Sequence, residues 1–247
     1  MFDKPRNIYK KKQFDNSMES LKDIYPRNYC GDNMFIASRN MHFFEDIDFQ
    51  NCVKKFAKAE PYIGMSWRMH IITWCVKQTQ NLSGDIAEFG TFRGFKMRFM
   101  IEYMGNNLRN KIIYLFDTFE GIDIDQSVGS PIKPDDHQKS GLYDYVCNRF
   151  KNFKNVKIVK GSAPKSIEKV NINKLSFIHL DMNSWMAEIG VLEKMWDKIE
   201  IGGIILLDDF GLYSHRSQKE KELIWFNKKN HSPLELPTGQ AIIIKHV

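Results

Sequence analysis

From Ser83 onward, apolar runs of strand length alternate with segments of helical period, and this alternation restricts the chain to βαβ units around a parallel sheet. The strand-length runs are DIAEF (85–89), KIIYLFD (111–117), NVKIVKG (155–161), LSFIHLD (175–181) and GGIILLDD (202–209). Their near-continuous hydrophobicity implies burial on both faces, as a parallel strand covered by helices on each side requires. Helices are expected between them at 96–104, 143–150, 185–198 and 218–227. The closing stretch, LELPTGQAIIIKHV, offers two short β runs around a Pro/Gly turn, a hairpin at the sheet's edge. The expected fold class is α/β: a Rossmann-like, mostly parallel sheet of about seven strands with helices on both faces.

The first eighty residues are less regular: a polar basic start, then FFEDIDF, then an apolar and aromatic helix around 62–78. The expected division is an N-terminal helical cap or substrate lid over residues 1–80, set on the sheet's C-terminal edge, and a main domain over 81–247. Such caps commonly select substrates and exclude water. Met65, Trp67, Met69 and Trp74 recur at helix-compatible spacing and read as packed core before any aromatic substrate box. No run approaches the roughly 18 uncharged apolar residues that span a bilayer. No apolar stretch follows the basic N-terminus either, so a cytoplasmic protein without a membrane span is expected. Cys30, Cys52, Cys75 and Cys147 lie far apart and read as free thiols. The formal charge of +6 is spread through presumed helices and loops. It reads as a solvated surface, not as a nucleic-acid patch, and could help attract an anionic substrate.

Two constellations carry chemistry. Glu88-Phe89-Gly90-Thr91-Phe92-Arg93-Gly94 lies directly after a strand and before a helix. Gly90 can take backbone angles closed to other residues and leaves no Cβ toward a ligand. Gly94 lets the next helix bring its N-terminal amides to an anionic group. Asp117 ends the following strand, where an acidic side chain can accept hydrogen bonds from ribose hydroxyls. Together these residues describe a nucleoside pocket. NAD binds at the same place in dehydrogenases, which keeps a nicotinamide-dependent oxidoreductase as a rival, although the GxGxxG fingerprint is absent.

The second constellation is acidic: Asp181 ends one strand, and Asp208 and Asp209 end another expected to lie beside it, about 4.8 Å away. Crowded carboxylates repel, and a hard divalent cation such as Mg²⁺, Ca²⁺ or Mn²⁺ would relieve the repulsion. The alternative is that Asp208 and Asp209 only cap the following segment; convergence with Asp181 favours the metal. His137, in the polar loop KPDDHQKSG, is the expected base, with Asp135, Asp136 and His215 as weaker alternatives and Asp181 able to act while bound to metal.

Across roughly 83–245 the chain resembles the macrocin O-methyltransferase family, metal-dependent sugar methyltransferases, and especially relatives among surface-polysaccharide genes. The matching blocks are GDIAEFGTFRG, YLFDTFEGI, FIHLDMNSWMAEIGVLEKMWDKIEIGGIILLDDFG and LPTGQAIIIK. The resemblance implies a class I methyltransferase fold with S-adenosylmethionine as donor, and a metal, Mg²⁺ by expectation, held by Asp181, Asp208 and Asp209. It implies that Glu88, Gly90 and Gly94 form the first cofactor motif and that Asp117 contacts the ribose. Thr91, Arg93, Thr118 and Ser162 complete the expected cofactor set. Where family members carry a second aspartate two residues after the first ligand, this chain has Asn183, which can coordinate but cannot act as a base. The job of LPTGQ is not derivable from the sequence, and Thr238 and Gln240 read as turn-shaping residues. The expected reaction is methyl transfer to a sugar hydroxyl, on a nucleotide-linked hexose or heptose destined for capsule or lipopolysaccharide, in a chain that could be a homodimer. A catechol or another vicinal diol is the alternative acceptor.

Overall fold

A computed structural model describes residues 8–32, 34–58, 64–133 and 137–246. Asp135 and Asp136 lie outside the described residues. The chain forms two compact units, Met1–Trp67 and Arg68–Val247.

In the first unit, helix α1 (Ile8–Ile24) precedes an antiparallel hairpin of β1 (Asn28–Gly31) and β2 (Met34–Ala37), with Tyr29 opposite Ile36. The sequence reading held only helices here. The hairpin turns after the Gly31–Met34 pair, with Asp32 at φ +50°, a conformation aspartate tolerates in tight turns. Helix α2 (Ile47–Phe56) starts where the Asp46 carboxylate accepts the Phe49 amide at 2.9 Å, an N-cap. The unit's interior is aromatic: Phe43 meets Tyr29, Phe49 and Trp67 with ring centroids 6.1, 5.6 and 5.2 Å apart.

Helix α3 (Ser66–Thr79) begins just before the division between the units, so most of it belongs to the second, whereas the sequence reading drew the line after it. It buries Arg68, Met69, Ile72, Cys75 and Val76. Trp74, read as core from its spacing, is exposed.

The second unit carries a seven-stranded sheet among the described residues, built from β3 (Asp85–Phe89), β4 (Ile113–Asp117), β5 (Val156–Lys160), β6 (Leu175–Leu180), β7 (Ile199–Leu207), β8 (Leu234–Glu235) and β9 (Ala241–Ile244). The order is β5-β4-β3-β6-β7-β9-β8. The first five strands are parallel, and β9 is antiparallel to β7 and to β8. The terminal hairpin is where the Pro/Gly turn placed it. Helices α4 (Phe95–Met104), α5 (Leu142–Phe150), α6 (Trp185–Met195) and α7 (Arg216–Lys228) occupy the expected crossovers. Every side chain of β6 is buried, as a central parallel strand demands; each Leu, Ile or Phe so placed contributes about 1.5–3 kcal/mol. Strand β7 starts at Ile199, ahead of the expected 202. A register shift opposite β6 takes up the extra residues before Gly203, so the glycine pair interrupts the pairing without ending the strand.

Winding reverses at β3, which has β4 on one side and β6 on the other. An open α/β sheet leaves a crevice beyond the strand ends at such a switch point. Both chemical constellations lie there. No disulfide joins cysteines among the described residues, and no helix among them is long and apolar enough to cross a membrane.

Candidate functional site

The loop from β3 to α4 works through its backbone. Gly90 and Thr91 donate their amides to the Phe116 carbonyl at 2.9 and 3.1 Å, which folds the loop over the end of β4. Gly90 sits at φ +89°, and a Cβ there would fall 1.9 Å from the Asp181 carbonyl oxygen, so no side chain fits. Gly94, at φ +68°, precedes α4, and a Cβ on it would strike the Phe150 ring at 2.6 Å. The first amides of α4 lack intrahelical acceptors, which makes this terminus suited to a carboxylate.

Asp117 locks the loop. Its Oδ2 accepts the Phe92 amide and its Oδ1 the Phe119 amide, both at 2.6 Å. Burial pushes this carboxyl above its usual range despite those donors. Thr118 donates its hydroxyl to the Gly121 carbonyl and shapes the next turn. Ser162 follows β5, and the neighbouring Gly161 amide donates to the Asp117 carbonyl at 2.9 Å, which brings that loop beside the Asp117 edge. Arg93 turns toward α5: its guanidinium lies 5.3 Å from the Tyr145 ring centroid.

Glu88 is buried, and both of its carboxylate oxygens meet protein. Oε2 accepts from the Thr91 hydroxyl at 2.9 Å, and Oε1 lies 3.0 Å from His179 Nδ1. His179, fully buried in β6, reaches Asp208 Oδ1 with its other nitrogen at 3.2 Å. Burial disfavours its charge, but the hydrogen bonds to Asp208 and Glu88 prevail and raise it to about 9, so the ring is an imidazolium donating from both nitrogens at neutral pH. It joins the glycine-loop side of the crevice to the acidic side.

On that acidic side, carboxylate oxygens of Asp181, Asp208 and Asp209 all lie within 4.8 Å of one another. The pairing Leu180–Leu207 sets Asp181 and Asp208 side by side just past the ends of β6 and β7, and the Asp208 amide donates to the Leu180 carbonyl at 2.9 Å. Asp208 is the hub. Arg68 Nη1 approaches its Oδ2 at 2.9 Å and its carbonyl at 2.7 Å, Lys96 Nζ its Oδ2 at 2.7 Å, and the Gln240 amide its Oδ1 at 2.8 Å. Lys96 also bonds Asp181. Burial works against the Asp208 charge, but Lys96, Arg68 and His179 hold the carboxylate well below its usual range. Asp181 and Asp209 fare differently. Burial pushes Asp181 up to about 7, with Asp208 and Asp209 adding to the rise against Lys96, and burial with the Asp208 charge raises Asp209 to about 6.

His137, the base expected from the sequence, packs edge-on against Phe92 at 5.1 Å. Among the described residues it makes no hydrogen bond or ion pair with the acidic trio. His215, the weaker candidate, lies nearer: its Nε2 is 3.0 Å from Asn183 Oδ1 and 3.7 Å from Asp209 Oδ2, and its Nδ1 is 3.0 Å from the Ser214 hydroxyl. Burial, reinforced by the Arg68 charge, lowers it to about 4, so it is neutral. With Asn183 Oδ1 accepting, His215 Nε2 donates, which orients Asn183 and Asp209 without taking a proton.

The sequence reading missed Lys96, Arg68 and His179 and took Gln240 as a turn-shaping residue, whereas its amide holds Asp208. The signals were present: a histidine inside an otherwise apolar strand, an arginine on the buried face of α3, and a lysine in the first turn of a helix, where the helix dipole disfavours a cation.

Solved structures with this fold include the O-methyltransferase NovP, at 19% identity and TM-score 0.61 over 73% of this chain and 80% of that one. The calicheamicin methyltransferase CalS11 aligns at 13% identity and TM-score 0.62 over 85% and 98%. PaMTH1, a Podospora anserina methyltransferase solved with S-adenosylhomocysteine, aligns at 12% identity and TM-score 0.56 over 96% of each chain. No curated protein matches. The macrocin-O-methyltransferase (TylF) family profile matches residues 10–232, a span that holds the glycine loop and all three aspartates and stops just short of Leu236–Gln240. The chain therefore belongs to the macrocin-O-methyltransferase family, whose members are S-adenosylmethionine-dependent O-methyltransferases.

Proposed function

We propose that this protein transfers the methyl group of S-adenosylmethionine to a hydroxyl of a sugar, with a divalent metal, Mg²⁺ in the cell, bound by Asp181, Asp208 and Asp209. The observation that carries the reading is the packing of Gly90 against the backbone of Asp181, which makes the donor loop and the acidic trio walls of one crevice.

The residues fit both groups. Gly90 and Gly94 let the donor loop pack closely on Asp181 and Phe150, where a Cβ would collide, and the α4 amides suit the donor's carboxylate. The trio is an all-oxygen donor set of the kind hard cations take, and its ligand atoms lie within 4.8 Å of one another. When bound, S-adenosylmethionine supplies the methyl group, and the metal supplies Lewis acidity toward the acceptor hydroxyl.

The protein's own part is positioning and proton handling. Asp117 and Glu88 hold the loop that seats the donor. Asp181 is our first candidate to accept the hydroxyl proton on a carboxylate oxygen. His137 is the second candidate for that proton, and His137→Asn against Asp181→Asn separates the two. His215 and Gln240 keep Asp209 and Asp208 oriented.

The acceptor we favour is a nucleotide-linked hexose or heptose used for capsule or lipopolysaccharide in the cytoplasm. A vicinal diol would offer two oxygens to a hard cation held by the trio, and CalS11 is described as a TDP-rhamnose 3'-O-methyltransferase. Calorimetric titration of metal-stripped protein with S-adenosylmethionine, then with sugar nucleotides with and without Mg²⁺, tests the proposal. Micromolar donor binding followed by metal-dependent sugar-nucleotide binding is expected. Failure to bind the donor under any condition overturns it, and methylation of a catechol alone would replace the acceptor class.

A further inference from the structure

We propose that Lys96 is a built-in counter-ion of the acidic trio, occupying the place between Asp181 and Asp208 that a divalent ion needs, so that a metal binds only by displacing its ammonium. The inference rests on the metal reading above and concerns the chain's own residues.

Lys96 is the second residue of α4. A cation there faces the positive end of the helix dipole, a local cost that ordinary surface lysines avoid. The compensation lies across the crevice: Nζ bonds Asp181 Oδ2 and lies 2.7 Å from Asp208 Oδ2, with only 17% of the lysine side chain exposed. Burial opposes its charge, yet Asp181 and Asp208 together hold the ammonium above the usual lysine range. These two oxygens also belong to the residues whose ligand atoms cluster within 4.8 Å.

A metal coordinated by the same two carboxylates sits about 2.0–2.6 Å from each oxygen, inside the volume the ammonium fills. Two cations sharing those oxygens repel strongly in a buried site. Lys96 can leave because its stem is long and flexible, whereas Arg68 is pinned by the carbonyls of Asp208 and Thr238 at 2.7 Å each. In the metal-free protein Lys96 therefore keeps three crowded carboxylates together, and it sets a threshold on metal affinity.

The test reads metal binding directly, without turnover. Free Mn²⁺ is measured by electron paramagnetic resonance during titration of the wild type, Lys96→Met and Lys96→Arg. Lys96→Met keeps the length and removes the charge, and it is expected to bind Mn²⁺ more tightly by about tenfold or more. Lys96→Arg, which keeps the cation and adds a fork that holds carboxylates more firmly, should bind Mn²⁺ no more tightly than the wild type. Thermal unfolding with and without Mn²⁺ guards against a folding defect: Lys96→Met should lose stability without metal and regain it with Mn²⁺. Equal Mn²⁺ affinity in wild type and Lys96→Met overturns the role of Lys96 and leaves the metal reading standing. No uptake by any of the three overturns the metal reading and this inference with it. Uptake by Lys96→Met alone supports the inference and removes the metal from the native reaction.

Discussion

The two walls of the crevice are built on opposite principles. On the β3–β4 side, the loop from Glu88 to Gly94 is shaped by backbone: positive φ at Gly90 and Gly94, amides folded onto Phe116, and Asp117 spent on two backbone amides. On the β6–β7 side, the backbone only delivers side chains, and order comes from charge. Three carboxylates are balanced by Arg68, Lys96 and the His179 imidazolium. The difference teaches where each wall is fragile. The first breaks when volume is added, and the second when charge is removed.

The largest effect should come from Asp208→Ala, which strips the hub from Arg68, Lys96 and His179 and leaves buried cations unpaired. Chemical denaturation should show a loss of about 3–5 kcal/mol, and Mn²⁺ uptake and turnover should vanish together. Gly90→Ala attacks the other wall. Its Cβ collides with the Asp181 carbonyl, and the left-handed backbone adds strain, costing about 1–3 kcal/mol. Calorimetry should show donor binding lost while Mn²⁺ uptake survives; loss of both at once would mean the walls are not separable.

His179 joins the walls, and its effect depends on pH. Its folded pKa, about 9, is raised from 6.5, so the stability it contributes is fully present below about 6.5 and is lost as pH rises toward 9. Relative to His179→Gln, the wild type should lose about 3 kcal/mol across that window, as read from denaturation midpoints. A difference independent of pH would show that the ring is not charged. The smallest effect is expected at Arg93, whose side chain rests on Tyr145. Arg93→Ala should change stability by about 0.5 kcal/mol or less and leave donor affinity intact, which would remove Arg93 from the cofactor set.

These contrasts also explain what could be read from the sequence. The β-α alternation, the terminal hairpin and the glycine loop were legible because each is written in contiguous residues whose type answers a backbone demand. The acidic trio was legible because strand ends at a switch point converge whatever the helices do. The groups that hold these acids were not. Arg68, Lys96 and Gln240 come from α3, α4 and the turn before β9, and no local pattern ties a lysine in a helix's first turn to an aspartate 112 positions away. The β1–β2 hairpin was missed because its strands are only four residues each, too short for a period to emerge. His137 was preferred over His215 by its place in a loop after the ribose edge, yet contact with the trio follows from the segment after β7 that leads into α7.

The most direct measurement is transfer of an isotopically labelled methyl from S-adenosylmethionine to a panel of sugar nucleotides, read by mass spectrometry of the products. It is run with the purified protein, after chelation, and after Mg²⁺ is restored. The account predicts a label on a sugar oxygen that disappears on chelation, returns with Mg²⁺ and is absent in Asp208→Ala. Transfer that is indifferent both to chelation and to Asp208→Ala, or no transfer to any sugar, would contradict it.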